Sequence, residues 1–160
     1  MCGIFGCISD DAASKVLDGL RKLEYRGYDS AGLAAIFPEG DSKIETERTT
    51  GYVADLVSKA NGRFSGASIS IGHTRWATHG GVTDNNAHPH SSADGKITIV
   101  HNGIIENAAD LSQKAGNLGY SLSSETDTEV FVNLLEKSYT ESNDLEQAFL
   151  AALQQIEGSF

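Results

Sequence analysis

Apolar residues in this chain gather in short blocks separated by polar and glycine-rich stretches. Gly3 to Ile8 is the first block and predicts a short buried strand. The next apolar positions follow helical spacing: Val16, Leu17, Leu20 and Leu23 share one face, and Asp11 stands where a cap is needed. Gly32 to Phe37 reads as a second strand. Pro38-Glu39-Gly40-Asp41 has turn chemistry, so Lys43 to Arg48 is expected to fold back as a hairpin partner. A short helix is predicted around Val53 to Lys59, and a third strand over Ala67 to Gly72.

From His73 to about Asp94 the chain is rich in Gly, His and Asn, and loops of that length usually carry function. Lys96 to His101 predicts a strand through Ile97, Ile99 and Val100. Asn107 is placed to cap a helix running through Lys114. Thr126 and Glu129 have capping-box spacing at the head of a helix that carries Val130, Phe131, Leu134 and Leu135. A last helix is expected from Asp144 to Ile156, with Leu145, Phe149, Ala152 and Leu153 inward. Strands and helices are grouped rather than alternating. The expected class is therefore α+β with antiparallel pairing, not a doubly wound sheet.

Composition narrows the picture. The length of 160 residues suits one domain, and 39% hydrophobic with 21% charged residues suits a globular protein. A net charge of -10 opposes binding to bulk nucleic acid, which requires basic clusters. A small anion can still bind at local arginines. No apolar run is long enough to cross a bilayer, so no membrane partner is expected. The start is unlike a signal peptide, because Asp10 and Asp11 interrupt it at once. Cys2 and Cys7 are too few for a disulfide scaffold and lie at opposite parity on one strand, which predicts reduced thiols and a cytoplasmic location. The end, Gly158-Ser159-Phe160, follows a helix in the way a chain entering a strand does. The 160 residues are therefore read as a piece of a larger domain, with its last strands beyond them.

Four segments can carry chemistry. Cys2 offers a thiol, and removal of Met1 would add a free α-amine of pKa about 8 as a built-in base. A buried inert cysteine at a strand start is the plainer reading of that position. Gly72-His73-Thr74-Arg75-Trp76-Ala77-Thr78-His79-Gly80 leaves a strand for a loop. Arg75 there can grip a carboxylate through two parallel hydrogen bonds, with Thr78 and His79 as donors and Trp76 as a wall. A solvated Arg and a packed Trp would explain the same letters. His101-Asn102-Gly103 can supply an amide and a backbone N–H to a developing oxyanion, or be an ordinary Asn-Gly turn. Asp127, at the head of its helix, can hold an ammonium or merely complement the helix dipole. His73, His79, His88, His90 and His101 crowd one stretch and His88-Pro89-His90 looks like a metal pair, but the cysteines are distant and no helical His-x-x-x-His or Cys-x-x-Cys spacing exists. No metal and no cofactor are expected.

Together the segments resemble one family. Met1-Cys2-Gly3-Ile4-Phe5-Gly6 is similar to the start of class II glutamine amidotransferases, which are N-terminal-nucleophile hydrolases. Leu23 to Gly32, Gly72 to Gly80, Asn86 to His90, His101 to Asn107 and Ser124 to Glu129 resemble the branch that makes glucosamine 6-phosphate from fructose 6-phosphate. The resemblance implies Cys2 as nucleophile with its α-amine as base, and Arg26 shaping the site around the N-terminus. It implies Arg75 on the glutamine carboxylate with Thr78, His79 and the Trp76 backbone. It implies Asp127 and Gly103 at the glutamine ammonium, and Asn102 with Gly103 as the oxyanion hole. The fold it implies is a four-layer αββα sandwich. The partners it implies are glutamine, a sugar-phosphate isomerase half absent from these 160 residues, and further copies in a homo-oligomer. Two alternatives stay open. One is a class II amidotransferase acting on phosphoribosyl pyrophosphate, which Tyr25 to Gly32 and Arg75 to Thr78 argue against. The other is a non-catalytic module that senses glutamine or a metal.

Overall fold

The computed structural model describes residues 1–38, 43–78 and 80–160. The elements run β1 (Gly3–Ile8), α1 (Ala12–Leu23), one tight helical turn (Glu24–Arg26), β2 (Ser30–Ile36), β3 (Glu45–Thr50) and α2 (Val53–Ala60). There follow β4 (Ile69–Arg75), the short strands β5 (His90–Ser91), β6 (Thr98–Ile99) and β7 (Ile104–Ile105), α3 (Ala108–Asn117), α4 (Asp127–Ser142), α5 (Leu145–Leu153) and β8 (Gly158–Ser159). Every strand pair is antiparallel, as the grouping of elements predicted. The main sheet has the order β1-β4-β2-β3, and two ribbons, β5-β6 and β7-β8, form a second β layer.

Helices cover both outsides, giving an α+β sandwich. On one side α1 and α2 pack on the main sheet around Val16, Leu20, Leu33, Val53 and Leu56, all fully buried. Each such side chain contributes about 1.5–3 kcal/mol by leaving water. The approach is close because Gly72 has no side chain. A Cβ there would lie 2.6 Å from Val16 Cγ1 and 2.8 Å from Leu20 Cδ1. On the other side Val130, Phe131, Leu134 and Leu135 of α4 meet Ile105, Leu111, Ala148 and Ala152 in a second core. No described helix is long and apolar enough to cross a membrane.

Several expectations are corrected. β1 is not buried: Ile4, Phe5 and Ile8 are 41%, 38% and 82% exposed. It is the sheet's edge strand, with β4 as its one neighbour in the sheet and α1 on one face only. The third strand continues to Arg75, so His73, Thr74 and Arg75 belong to a strand rather than to a loop. The strand expected from Lys96 to His101 shrinks to Thr98–Ile99. Leu145 lies outward at 56% exposure, and Phe149, 42% exposed, meets Phe131 edge to face at 6.1 Å, while Ala148 and Ala152 are the residues fully buried in that core.

Capping also differs. Asp11 has left-handed backbone, φ 58°, and makes no cap hydrogen bond; Ala12 N–H donates instead to Ala67 O at 2.7 Å. Asn107 caps nothing through its side chain. Its amide bridges Gln155 O and Glu157 N–H, tying the end of α5 to β7. Thr126 does accept from Glu129 N–H, but the Glu129 carboxylate turns to Ser123 and Ser124, so half of the expected box forms. The hairpin pairing of β2 with β3 is present, whereas most of its turn, residues 39–42, lies outside the described residues.

Candidate functional site

The antiparallel register Gly3↔Thr74 brings the first residues of the chain beside the end of β4. Two glycines make this approach possible. At Gly3 a Cβ would lie 2.7 Å from Leu23 Cβ, and at Gly27 one would lie 2.8 Å from the Arg75 carbonyl carbon. Cys2 is half-buried, and its Sγ accepts the Trp76 backbone N–H at 3.2 Å. The same Sγ donates to Trp76 O at 3.5 Å. Met1 is exposed, and Arg26 Nη2 reaches its sulfur at 3.7 Å.

Arg75 is 4% exposed. Its guanidinium donates to Gly81 O at 3.1 Å and Gly80 O at 3.4 Å. Burial lowers its pKa, and the neighbouring Cys2, Asp29, Asp127 and Glu125 raise it again. An arginine so placed stays cationic. Trp76 forms a wall with Tyr28, edge to face at 5.5 Å, and Tyr28 stacks in turn on Tyr52.

The opposite wall comes from the second β layer. Asn102 donates through Nδ2 to Cys2 O at 3.2 Å, and its Oδ1 lies 2.9 Å from His73 Nε2. Gly103 has φ 147°, and a Cβ there would be 2.3 Å from Ser159 O, so only glycine fits. Asp127 sits at the N-terminus of α4, 8% exposed, with Oδ2 accepting from Ile105 N–H at 2.9 Å. Cys2, Arg75, Trp76, Thr78, Gly103 and Asp127 line a single cleft. A roomier groove between α1 and α2 is lined mainly by apolar residues such as Leu17, Val57 and Phe64.

The structure thus brings together Cys2, Arg75, Trp76, Thr78, Asn102, Gly103 and Asp127, with Arg26 beside the N-terminus. His79 lies outside the described residues. Among the described residues no group of three or more His, Cys, Asp or Glu is arranged to hold a metal ion. The buried histidines instead stack on one another: His73 on His88 at 4.2 Å, and His88 edge-on to His90 at 4.7 Å. Burial pushes His73 down to about 4 and His90 down to about 3, and holds His88 well below its ordinary value.

Three supporting residues carried no separate signal in the sequence. Asp29 accepts from Ala77 N–H at 2.9 Å and fixes the chain just past Trp76. Asn86 and Glu125 form a clasp. The Asn86 amide donates to Gly81 O and Glu125 Oε2 and accepts from Glu125 N–H, while Gly81 N–H donates to Glu125. This ties the loop that Arg75 grips to the approach to α4.

A thiol, a buried cation and a buried carboxylate thus line one cleft, beside an amide that donates to the Cys2 carbonyl. Residues 32–146 match the model of the glutamine amidotransferase domain, and the chain belongs to that family. Its curated relatives include the glutamine–fructose-6-phosphate aminotransferases (isomerizing) of Pyrococcus horikoshii, Thermus thermophilus and Chlamydia caviae, at 45%, 47% and 48% identity. Each alignment covers 100% of this chain and 26% of the relative, so the chain spans about a quarter of their length. Among solved structures, the glutamine phosphoribosylpyrophosphate amidotransferase of B. subtilis, in complex with ADP and GMP, superimposes with a TM-score of 0.82 at 25% identity. That match covers 99% of this chain and 33% of the other. A structure titled as the allosteric regulatory enzyme of purine biosynthesis gives 0.83 at 27% identity, over 99% and 34%.

Proposed function

We propose that this chain hydrolyses glutamine to glutamate and ammonia through Cys2, and that the ammonia serves glucosamine 6-phosphate synthesis from fructose 6-phosphate. One observation carries the reading: the Cys2 thiol lies in the same cleft as the buried Arg75 and Asp127, with the Asn102 amide donating to the Cys2 carbonyl. After Met1 is removed, the α-amine of Cys2 takes the thiol proton. Arg75, with Thr78, His79 and the Trp76 backbone, binds the glutamine carboxylate, and Asp127 with Gly103 binds the ammonium. Arg26 shapes the entrance beside the freed N-terminus.

The thiolate attacks the side-chain amide carbon. The oxygen of the tetrahedral intermediate takes its charge against Asn102 Nδ2 and the Gly103 N–H. The α-ammonium returns its proton to the departing nitrogen, and ammonia leaves a γ-glutamyl thioester. Water, deprotonated by the same amine, then releases glutamate and restores the thiol.

The 160 residues are read as the glutamine-hydrolysing part of a longer polypeptide whose sugar-phosphate isomerase half lies outside them. The full-length protein is read as a cytoplasmic homo-oligomer. Identities of 45–48% to fructose-6-phosphate aminotransferases support that acceptor. The solved neighbour named for phosphoribosyl pyrophosphate keeps a second reading alive.

The test is intact mass of the purified protein together with ammonia release from glutamine, with each acceptor added to the native polypeptide. Loss of Met1, and turnover stimulated by fructose 6-phosphate, are expected. Retained Met1 on active molecules, or stimulation by phosphoribosyl pyrophosphate alone, would overturn the reading.

A further inference from the structure

The Nε2 atom of His73 faces two groups at once, His101 O at 3.1 Å and the Asn102 side-chain amide at 2.9 Å. A backbone carbonyl can only accept. Nε2 must therefore carry hydrogen, which fixes the tautomer without any choice of assignment. The amide atom of Asn102 that meets this N–H must then be the oxygen. It follows that Nδ2, the donor end, points the other way, toward Cys2, where it reaches the Cys2 carbonyl at 3.2 Å. Turned over, the amide would set its oxygen against the Cys2 oxygen and its NH2 against an N–H.

The ring is held for this task. His73 is fully buried on β4, the central strand next to the edge strand β1, and stacks on His88 at 4.2 Å with an interplanar angle of 18°. Its Nδ1 is buried with no partner among the described residues, so no second bond turns the ring. Asn102 itself is exposed on a loop, where an amide not held by a partner would populate both orientations. Burial also keeps the ring neutral at physiological pH.

We propose that His73 is a positioning residue: by donating Nε2–H to Asn102 Oδ1 it sets the amide flip that presents Asn102 Nδ2 to the oxyanion. This rests on the glutaminase reading above and deepens it. His73 lines the cleft, but its Nε2 bonds go to His101 O and Asn102 rather than to the thiol, so its effect is expected on kcat more than on KM. Binding of glutamine and the reactivity of the thiol itself stand apart from it.

Three variants test it in the native polypeptide. His73→Phe keeps the ring and loses the donor. It should lower kcat for glutamine hydrolysis roughly 30- to 100-fold, somewhat less than loss of an oxyanion donor outright, with KM within about 3-fold. Alkylation of Cys2 by iodoacetamide needs no oxyanion hole and should change less than about 2-fold. His73→Gln, whose amide N–H can overlie Nε2, should restore kcat to within about 10-fold. In an Asn102→Ala background, His73→Phe should add almost nothing. Undiminished kcat in His73→Phe, full additivity with Asn102→Ala, or a parallel loss of alkylation would overturn the proposal.

If His73→Phe does not fold, ¹⁵N shifts of the His73 ring in the unaltered protein decide the matter. A protonated Nε2 with a bare Nδ1 is expected, and the opposite tautomer would overturn the proposal. Cys2→Ala separates the two levels of the account. Hydrolysis that survives Cys2→Ala refutes the glutaminase reading itself, whereas hydrolysis that needs Cys2 but not His73 refutes only the positioning role.

Discussion

The two walls of the cleft are built by different means. Cys2 and Arg75 stand at the end of a four-stranded antiparallel sheet, held by backbone ladders and by the core under α1 and α2. Asn102, Gly103 and Asp127 stand on two-residue ribbons and a helix end, held largely by side-chain hydrogen bonds. The first wall takes its position from many cooperative contacts. The second takes it from a few polar bonds, each of which costs about 1–3 kcal/mol when one buried partner is lost. The proposed nucleophile Cys2 and the proposed carboxylate grip Arg75 are therefore predicted to be robust to nearby polar changes, and the proposed oxyanion side to be sensitive to them.

Substitution on the second wall gives the largest effect. Asn102→Ala should lower kcat by about 10²–10³-fold with little change in KM, since the donor acts on charge that develops only in the transition state. A rise in KM at constant kcat would mean that Asn102 binds ground-state substrate instead. Steady-state glutamine hydrolysis separates the two.

Next comes acid. His73 and His90 fall from 6.5 to about 4 and about 3 on folding, because burial disfavours their charged forms. Such groups bind protons more readily in the unfolded chain. Their stabilisation is therefore complete above about pH 6.5 and is lost as pH falls toward the folded values. His73 alone accounts for on the order of 3 kcal/mol between pH 6.5 and 4. Urea unfolding across that range checks it, and a stability flat from pH 7 to 4 would contradict a buried neutral histidine cluster. Among the described residues the main sheet has no such cluster on its α1 and α2 face, so early acid loss should appear first at the cleft, by hydrogen exchange.

The first wall has its own test. Arg75→Lys should raise the glutamine KM about 10- to 100-fold, because an ammonium cannot make two parallel bonds to a carboxylate. The smallest effect is expected at the clasp. Asn86→Ala removes three hydrogen bonds that join Gly81 to Glu125 and should cost about 1–3 kcal/mol in urea unfolding, with a modest rise in KM. A loss confined to stability, with KM unmoved, would show that the clasp does not set the position of Arg75.

The same contrast explains what the letters of the sequence revealed. Helix α4 was legible because Val130, Phe131, Leu134 and Leu135 repeat on one face. The β2–β3 hairpin was legible from its turn chemistry and its apolar block. His73, Thr74 and Arg75 looked like a loop because polar residues in a row mimic one. All three are buried in a strand, and the His73 partners, His101 O and Asn102, are ones that no local pattern predicts. β1 read as buried, and sheet order alone makes it an edge. The candidate residues Cys2, Arg75, Asn102 and Asp127 were legible as motifs. The residues that hold them in place, Asp29, Asn86 and Glu125, were not, since the Asp29–Ala77, Asn86–Glu125 and Gly81–Glu125 bonds span 39 or more positions and spacing carries no trace of them.

The central claim is a covalent one, and it can be read directly. The protein is mixed with glutamine, quenched in acid during turnover, digested, and its N-terminal peptide weighed. The account predicts a peptide that begins at Cys2 and carries a γ-glutamyl group on the thiol, in step with the ammonia released. Ammonia release with an unmodified Cys2, or from molecules that keep Met1, would contradict it.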